Sequence, residues 1–138
     1  PSRNEIAHRV IQSGKFEINR SQDYEGLRLI HIAAYCCNTK FLELLLTQPG
    51  IEKNVRTNPA VPNKITIYYP NATPVDMAKM HVIEKNRPDQ KPSEARLQET
   101  EAVIKLLRQH DSCEESPEIE ARFQKAIAAA REAEQSTL

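Results

Sequence analysis

Tryptophan is absent and aromatic residues make up only 5% of the 138-residue chain, so a core must be assembled from Leu, Ile, Val and Ala. Cysteine is scarce as well. Cys36 and Cys37 are adjacent and Cys113 is remote, an odd set that forms no disulfide framework and points to a reducing compartment. No apolar run approaches the roughly 18 residues needed to span a bilayer, and no signal peptide is visible. The chain opens on Pro1 rather than Met and is expected to be a piece of a longer protein. A charge excess is missing too: nineteen basic residues balance nineteen acidic ones. Nucleic-acid binders and peripheral membrane proteins usually carry a basic excess, so neither nucleic acid nor membrane is expected as a partner.

What remains suits one soluble domain with a single core, 39% hydrophobic and 28% charged. Ile6, Val10 and Ile11 recur at helical spacing over 4–13, and Gly14 is placed to end that helix. Two short helices follow, over 29–36 and 40–47, the second holding Phe41, Leu42, Leu44, Leu45 and Leu46 before Pro49-Gly50 stops it. Each is too short to stand alone. Pro59, Pro62 and Pro70 then punctuate a β-branched and aromatic run, Ile65-Thr66-Ile67-Tyr68-Tyr69, which reads as an extended loop or β-hairpin finger. Thr73 as N-cap and Pro74 at the first helical position start a helix reaching Lys79 to Glu84. Ser93 caps a long helix over 94–110. Ser116-Pro117 opens the last helix, where Ile119, Phe123, Ala126, Ile127 and Ala130 form one apolar stripe that should dock on a neighbour.

These elements recur. Residues 23–34, Asp-Tyr-Glu-Gly-Leu-Arg-Leu-Ile-His-Ile-Ala-Ala, resemble the ankyrin-repeat opening D-x-x-G-x-T-P-L-H-x-A-A. Phe41 to Leu46 followed by Gly50-Ile51-Glu52-Lys53-Asn54 resembles the second helix and closing turn of that family. Asn71-Ala72-Thr73-Pro74-Val75-Asp76-Met77-Ala78 looks like the next opening, with Ala102 to Leu107 as its second helix. Val10 to Gly14 and Ile18-Asn19 look like the second half of an earlier unit. The departures are specific: Arg28-Leu29 stand where the family has Thr-Pro, Asp76 where it has His, Asn71 and Cys37 where it has Gly. Gly26 to Asn71 is about a dozen residues longer than the usual period of roughly 33, the surplus falling in the 55–70 finger, and a second insertion lies near 82–100. Loop insertions cost little entropy. The resemblance implies an all-α ankyrin solenoid of about two and a half helix-pair repeats with β-hairpin finger loops. Its expected division is a repeat domain over 1–111 and a capping helix within 112–138.

The family resemblance also implies a function: binding a partner protein through a concave surface of hairpin tips and first helices. Mapped onto this chain, the candidate partner-binding residues are Tyr24, Glu25, Leu27 and Tyr35 in one unit. Tyr68, Tyr69, Met80 and His81 are those of the finger and the next unit. Tyrosine offers a large rigid contact with a polar tip, which suits a binding hot spot. Chemistry is poorly supported. His31 with Cys36 or Cys37 could form a nucleophile–base pair, but five residues is a poor spacing on one helix and nothing in the motif orients the imidazole. The family uses this His for hydrogen bonds between neighbouring repeats. Neighbouring cysteines project about 100° apart on a helix and no C-x-x-C spacing exists, so no metal, no cofactor and no catalytic residue is expected. Ser13-Gly14-Lys15 lacks the rest of a phosphate loop. The expected molecule is a monomeric, non-enzymatic interaction module of the cytoplasm, or of a host cytosol if it is delivered there by a bacterium. The alternative is a structural end-cap of a longer ankyrin array, or a regulatory or substrate-recruiting segment of a larger protein such as a bacterial effector.

Overall fold

In a computed structural model of the chain, residues 3–13, 17–20, 26–59, 70–84 and 92–136 are described. Among them are six helices and no strand: α1 (Arg3–Gln12), α2 (Leu29–Tyr35), α3 (Thr39–Leu46), α4 (Pro74–Glu84), α5 (Glu94–Gln109) and α6 (Pro117–Ser136). Each helix read from the sequence is present, its ends shifted by a residue or two at most, as fraying ends are. The 65–69 run of the expected finger lies outside the described residues. Its two feet are seen: Thr57 N donates to Ala72 O at 2.9 Å and Asn71 N to Asn58 O at 3.0 Å.

Local chemistry sets the helix starts. Asn38 Oδ1 accepts from Phe41 N at 3.2 Å and caps α3, and Ser93 Oγ accepts from Arg96 N at 3.2 Å and caps α5. A reciprocal box opens α4, where Asp76 N donates to Thr73 Oγ1 and Thr73 N to Asp76 Oδ2, both at 3.1 Å. At α2 the cap is different, because Arg28 carries no acceptor. His31 Nδ1 accepts from Arg28 N at 3.0 Å instead. The Arg28 guanidinium is freed to bind the carbonyls of Gly26 at 2.7 Å and of Asn19 and Arg56 at 3.3 Å. The departure from Thr thus exchanges a helix cap for a clamp that joins the α1–α2 connection to the α3–α4 connection.

Left-handed residues mark the turns. Gly26 (φ 79°) and Asn71 (φ 54°) open successive helix pairs, Gly50 (φ 77°) and Asp111 (φ 65°) close them, and Cys37 (φ 55°) reverses the chain between α2 and α3. Glycine adopts this region freely, while Asn and Asp tolerate it better than most. Cys37 is the strained member of the set. It stands where the family resemblance led one to expect Gly.

Packing arranges the helices in two rows. In one row α1, α3 and α5 lie side by side; in the other α2, α4 and α6 do, with α2 paired to α3 and α4 to α5. One apolar core threads both rows, from Ile11 on α1 through Ile30, Leu42, Leu45, Val75, Val103 and Leu107 to Ala130 on α6. Full burial of each large aliphatic side chain contributes about 1.5–3 kcal/mol, and no single helix pair could collect enough of it. Two asparagines join the loops in the same way. Asn19 Nδ2 donates to Gly50 O at 2.8 Å while its Oδ1 accepts from Glu52 N at 2.9 Å. Asn54 Nδ2 donates to Asp111 O at 3.1 Å and its Oδ1 accepts from Glu114 N at 3.0 Å. Each amide satisfies one carbonyl and one N–H of the loop that follows.

The middle helix, α4, has neighbours on three sides: α2, α5 and α6. Two of its buried side chains are charged, and both reach toward α6. Asp76 accepts from Ser116 N at 2.8 Å through Oδ1 and from Ser116 Oγ at 2.7 Å through Oδ2. Lys79, 1% exposed, pairs with Glu115 at 2.7 Å and with Glu120, and its Nζ lies 5.7 Å from the Phe123 ring centre. Burial works to raise the Glu120 carboxyl, but hydrogen bonds from Lys79 and Gln124 and the charges of Lys79 and Arg108 hold it below its ordinary value. Phe123, Ala126, Ile127 and Ala130 complete the dock as an apolar stripe; of the stripe expected of this helix these four are buried and Ile119 is half-buried. The Ser116 hydroxyl, at the entry to α6, is engaged by Asp76.

Candidate partner-binding face

Because α2 and α4 lie side by side, their last turns meet. Tyr35, the final residue of α2, and His81, in the last turn of α4, stack edge to face with ring centres 5.4 Å apart and an interplanar angle of 68°. The Tyr35 hydroxyl donates a hydrogen bond to Glu84 Oε2. Burial, followed by that bond and the charge of Glu84, pushes the phenol up to about 12. Tyr35, His81 and Glu84 are all half-buried, and Cys36 beside them is exposed. The result is a small aromatic and acidic patch formed by two neighbouring units. It offers shape and hydrogen bonding; its phenol stays protonated at neutral pH.

The other sequence candidates fall in different places. Leu27 is 7% exposed and belongs to the core. Met80 is 1% exposed, since α4 is enclosed by three helices and leaves it no outer face. Both were expected on the recognition surface, and both are interior. Burying their apolar side chains wins over presenting them. Tyr24, Glu25, Tyr68 and Tyr69 lie outside the described residues. Of the eight candidates, Tyr35 and His81 are brought together. Glu84 was missed. Its signal was the three-residue spacing from His81, which puts both on one helix face, but nothing local announces that Tyr35 arrives there from another unit.

Geometry also speaks to the residues weighed for chemistry. His31 is fully buried; its Nδ1 accepts from Arg28 N, so Nε2 carries the proton and donates to Val55 O at 2.8 Å. With both nitrogens engaged it cannot act as a base toward Cys36, which is exposed, or Cys37, whose Sγ lies 3.8 Å from Thr100 Oγ1. His31 instead ties the first turn of α2 to the following loop. Among the described residues no group of three or more His, Cys, Asp or Glu side chains could hold a metal ion, and no helix is long and apolar enough to cross a membrane.

Paired helices in two rows, bound by left-handed turns and cross-loop amides, define an all-α protein built by repetition. Residues 1–46 match the family model described as Ankyrin repeats (many copies), so the part of the chain holding α1, α2 and α3 is ankyrin repeat. Such repeats are in general protein–protein interaction modules. No curated protein and no solved structure matches the chain.

Proposed function

We propose that the chain is a protein-recognition module without catalysis, built as two and a half ankyrin repeats over 1–111 and closed by α6 within 112–138. Its binding surface is the concave side formed by the ends of α2 and α4 and the loops that open each pair. The observation that carries this reading is the Tyr35–His81–Glu84 cluster. It joins an aromatic pair and a carboxylate from two successive units on a face that is half-open. Tyr24, Glu25, Tyr68 and Tyr69 would extend it along the finger and the opening loop. The partner would be a folded protein or an extended peptide, met in the cytoplasm by a monomer. Affinity purification with the native chain and with the triple variant Tyr24→Ala, Tyr35→Ala, Tyr69→Ala tests it. A specific protein retained by the first and lost by the second, with both chains folded by circular dichroism, is expected. A partner held equally by both rejects this surface.

A second reading, the end of a longer array, is favoured by one observation. Ile6 and Val10, on one stripe of α1, are 50% and 44% exposed, and a further helix packed there would cover them. It expects poor stability of the isolated chain, so a cooperative melt well above about 50 °C counts against it.

A further inference from the structure

Among the described residues the buried or half-buried carboxylates are Asp76, Glu84, Glu94, Glu115 and Glu120. Asp76 has Arg56 at 3.9 Å and Glu94 has Arg131 at 3.5 Å. Glu115 has Lys79 at 2.7 Å and Arg108 at 3.1 Å, and Glu120 has Lys79. Glu84 stands apart. No described cation pairs with it, and its carboxylate accepts from the Tyr35 hydroxyl through Oε2. That bond leaves Oε1 as an acceptor for a group from outside.

The surroundings share its sign. Tyr35 is the final residue of α2 and Glu84 the final residue of α4, so the carbonyl ends of two helices meet on this face. Helix C-termini carry partial negative charge, and a carboxylate in the last turn adds to it. Neither last turn holds a lysine or an arginine. Lys79, earlier on α4, is committed to Glu115 and Glu120 on the α6 side. Beside the carboxylate stand two rings, Tyr35 and His81, with centres 5.4 Å apart. A phenol that donates to a carboxylate gains electron density, and the face of such a ring attracts a cation.

We propose that this cluster receives an arginine side chain of the partner, a proposal that deepens the recognition reading given above and rests on it. A guanidinium supplies what the face lacks. It brings a positive charge that does not titrate, N–H donors for Glu84 Oε1 and a plane that stacks on an aromatic ring. Lysine would bring the charge without the plane and should bind more weakly. A neutral side chain of the same shape would leave the Glu84 carboxylate without its cation.

The test uses the whole chain and a short peptide, Gly-Ser-Arg-Ser-Gly, blocked at both ends, with a twin in which neutral citrulline replaces arginine. NMR shifts of Tyr35, His81 and Glu84 should saturate with the arginine peptide, and the twin should bind at least about fivefold more weakly. Glu84→Gln keeps an acceptor for the Tyr35 hydroxyl and removes the charge. It should bring the arginine peptide down to the level of its twin without changing the melt. Equal binding of the two peptides, or shifts confined to another face, overturns the proposal. So does arginine binding that appears only in the triple variant Lys85→Gln, Arg87→Gln, Lys91→Gln, because the segment that follows Glu84 would then be the occupant. A partner protein that is lost with Tyr24, Tyr35 and Tyr69 but held equally by Glu84→Gln keeps the recognition face and rejects the arginine. Peptide discrimination alongside a partner retained by the tyrosine variant supports the arginine site and rejects the wider face.

Discussion

Gly26 and Asn71 hold the same left-handed turn at the start of successive helix pairs, yet they are not equally replaceable. At Gly26 a Cβ would stand 2.5 Å from Asn58 Oδ1 and 3.0 Å from Asn58 N, so both the backbone angle and a close neighbour demand glycine. Asn71 already carries a side chain at φ 54°. Gly26→Ala should therefore cost at least the roughly 1–2 kcal/mol of an L-residue in this region, plus the displacement of the Asn58 backbone. Asn71→Gly should stay within about 0.5 kcal/mol of the native chain. Urea midpoints of the two variants check the contrast. At the same scale, His31 and Asp76 occupy equivalent places with opposite roles. The imidazole faces a carbonyl, Val55 O, and must donate; the carboxylate faces the N–H and hydroxyl of Ser116 and must accept.

At the scale of the element, α6 is attached to α4 by an apolar stripe and by two buried polar anchors. Asp76 supports both its own helix, through Thr73, and the entry to α6, through Ser116. Hydrogen bonds to charged groups contribute about 1.5–3 kcal/mol each, so Asp76→Ala should destabilise by at least about 3 kcal/mol when two or more are lost together. Amide exchange should show α6 losing protection first. Asp76→His, which installs the residue that the ankyrin resemblance led one to expect here, should fail to rescue it, because a neutral imidazole cannot accept both Ser116 donors. Retained protection in α6 of the Asp76→Ala variant would show that the apolar stripe and the Lys79 anchor hold the helix without Asp76.

For the whole molecule, stability is shared along the rows, and the α6 end depends on pH. Glu120 is held below its ordinary 4.5 in the folded chain by Lys79. A carboxylate depressed in this way adds stability above its unfolded value, and that stability is lost as pH falls through its lower folded value. Acidification below about pH 4.5 should thus loosen the α4–α6 junction, as Glu120 loses the charge that pairs with Lys79. Melting temperatures followed from neutral to acid pH should fall less steeply in Glu120→Gln than in the native chain. An identical fall in both would remove Glu120 from the account.

Helix periods, the Thr73-Pro74 and Ser93 starts, the glycine turns and the recurrence of the opening motif were all legible residue by residue, because each depends on neighbours a few positions away. So was the apolar stripe of α6. The burial of Leu27 and Met80, the meeting of Tyr35 with His81 and Glu84 and the use of Asp76 by Ser116 were not. Each depends on which helix lies beside which, across separations of about forty residues or more for most of them. Side-chain spacing along one helix tells which residues share a face; only the stacking of the rows decides whether that face meets protein or water.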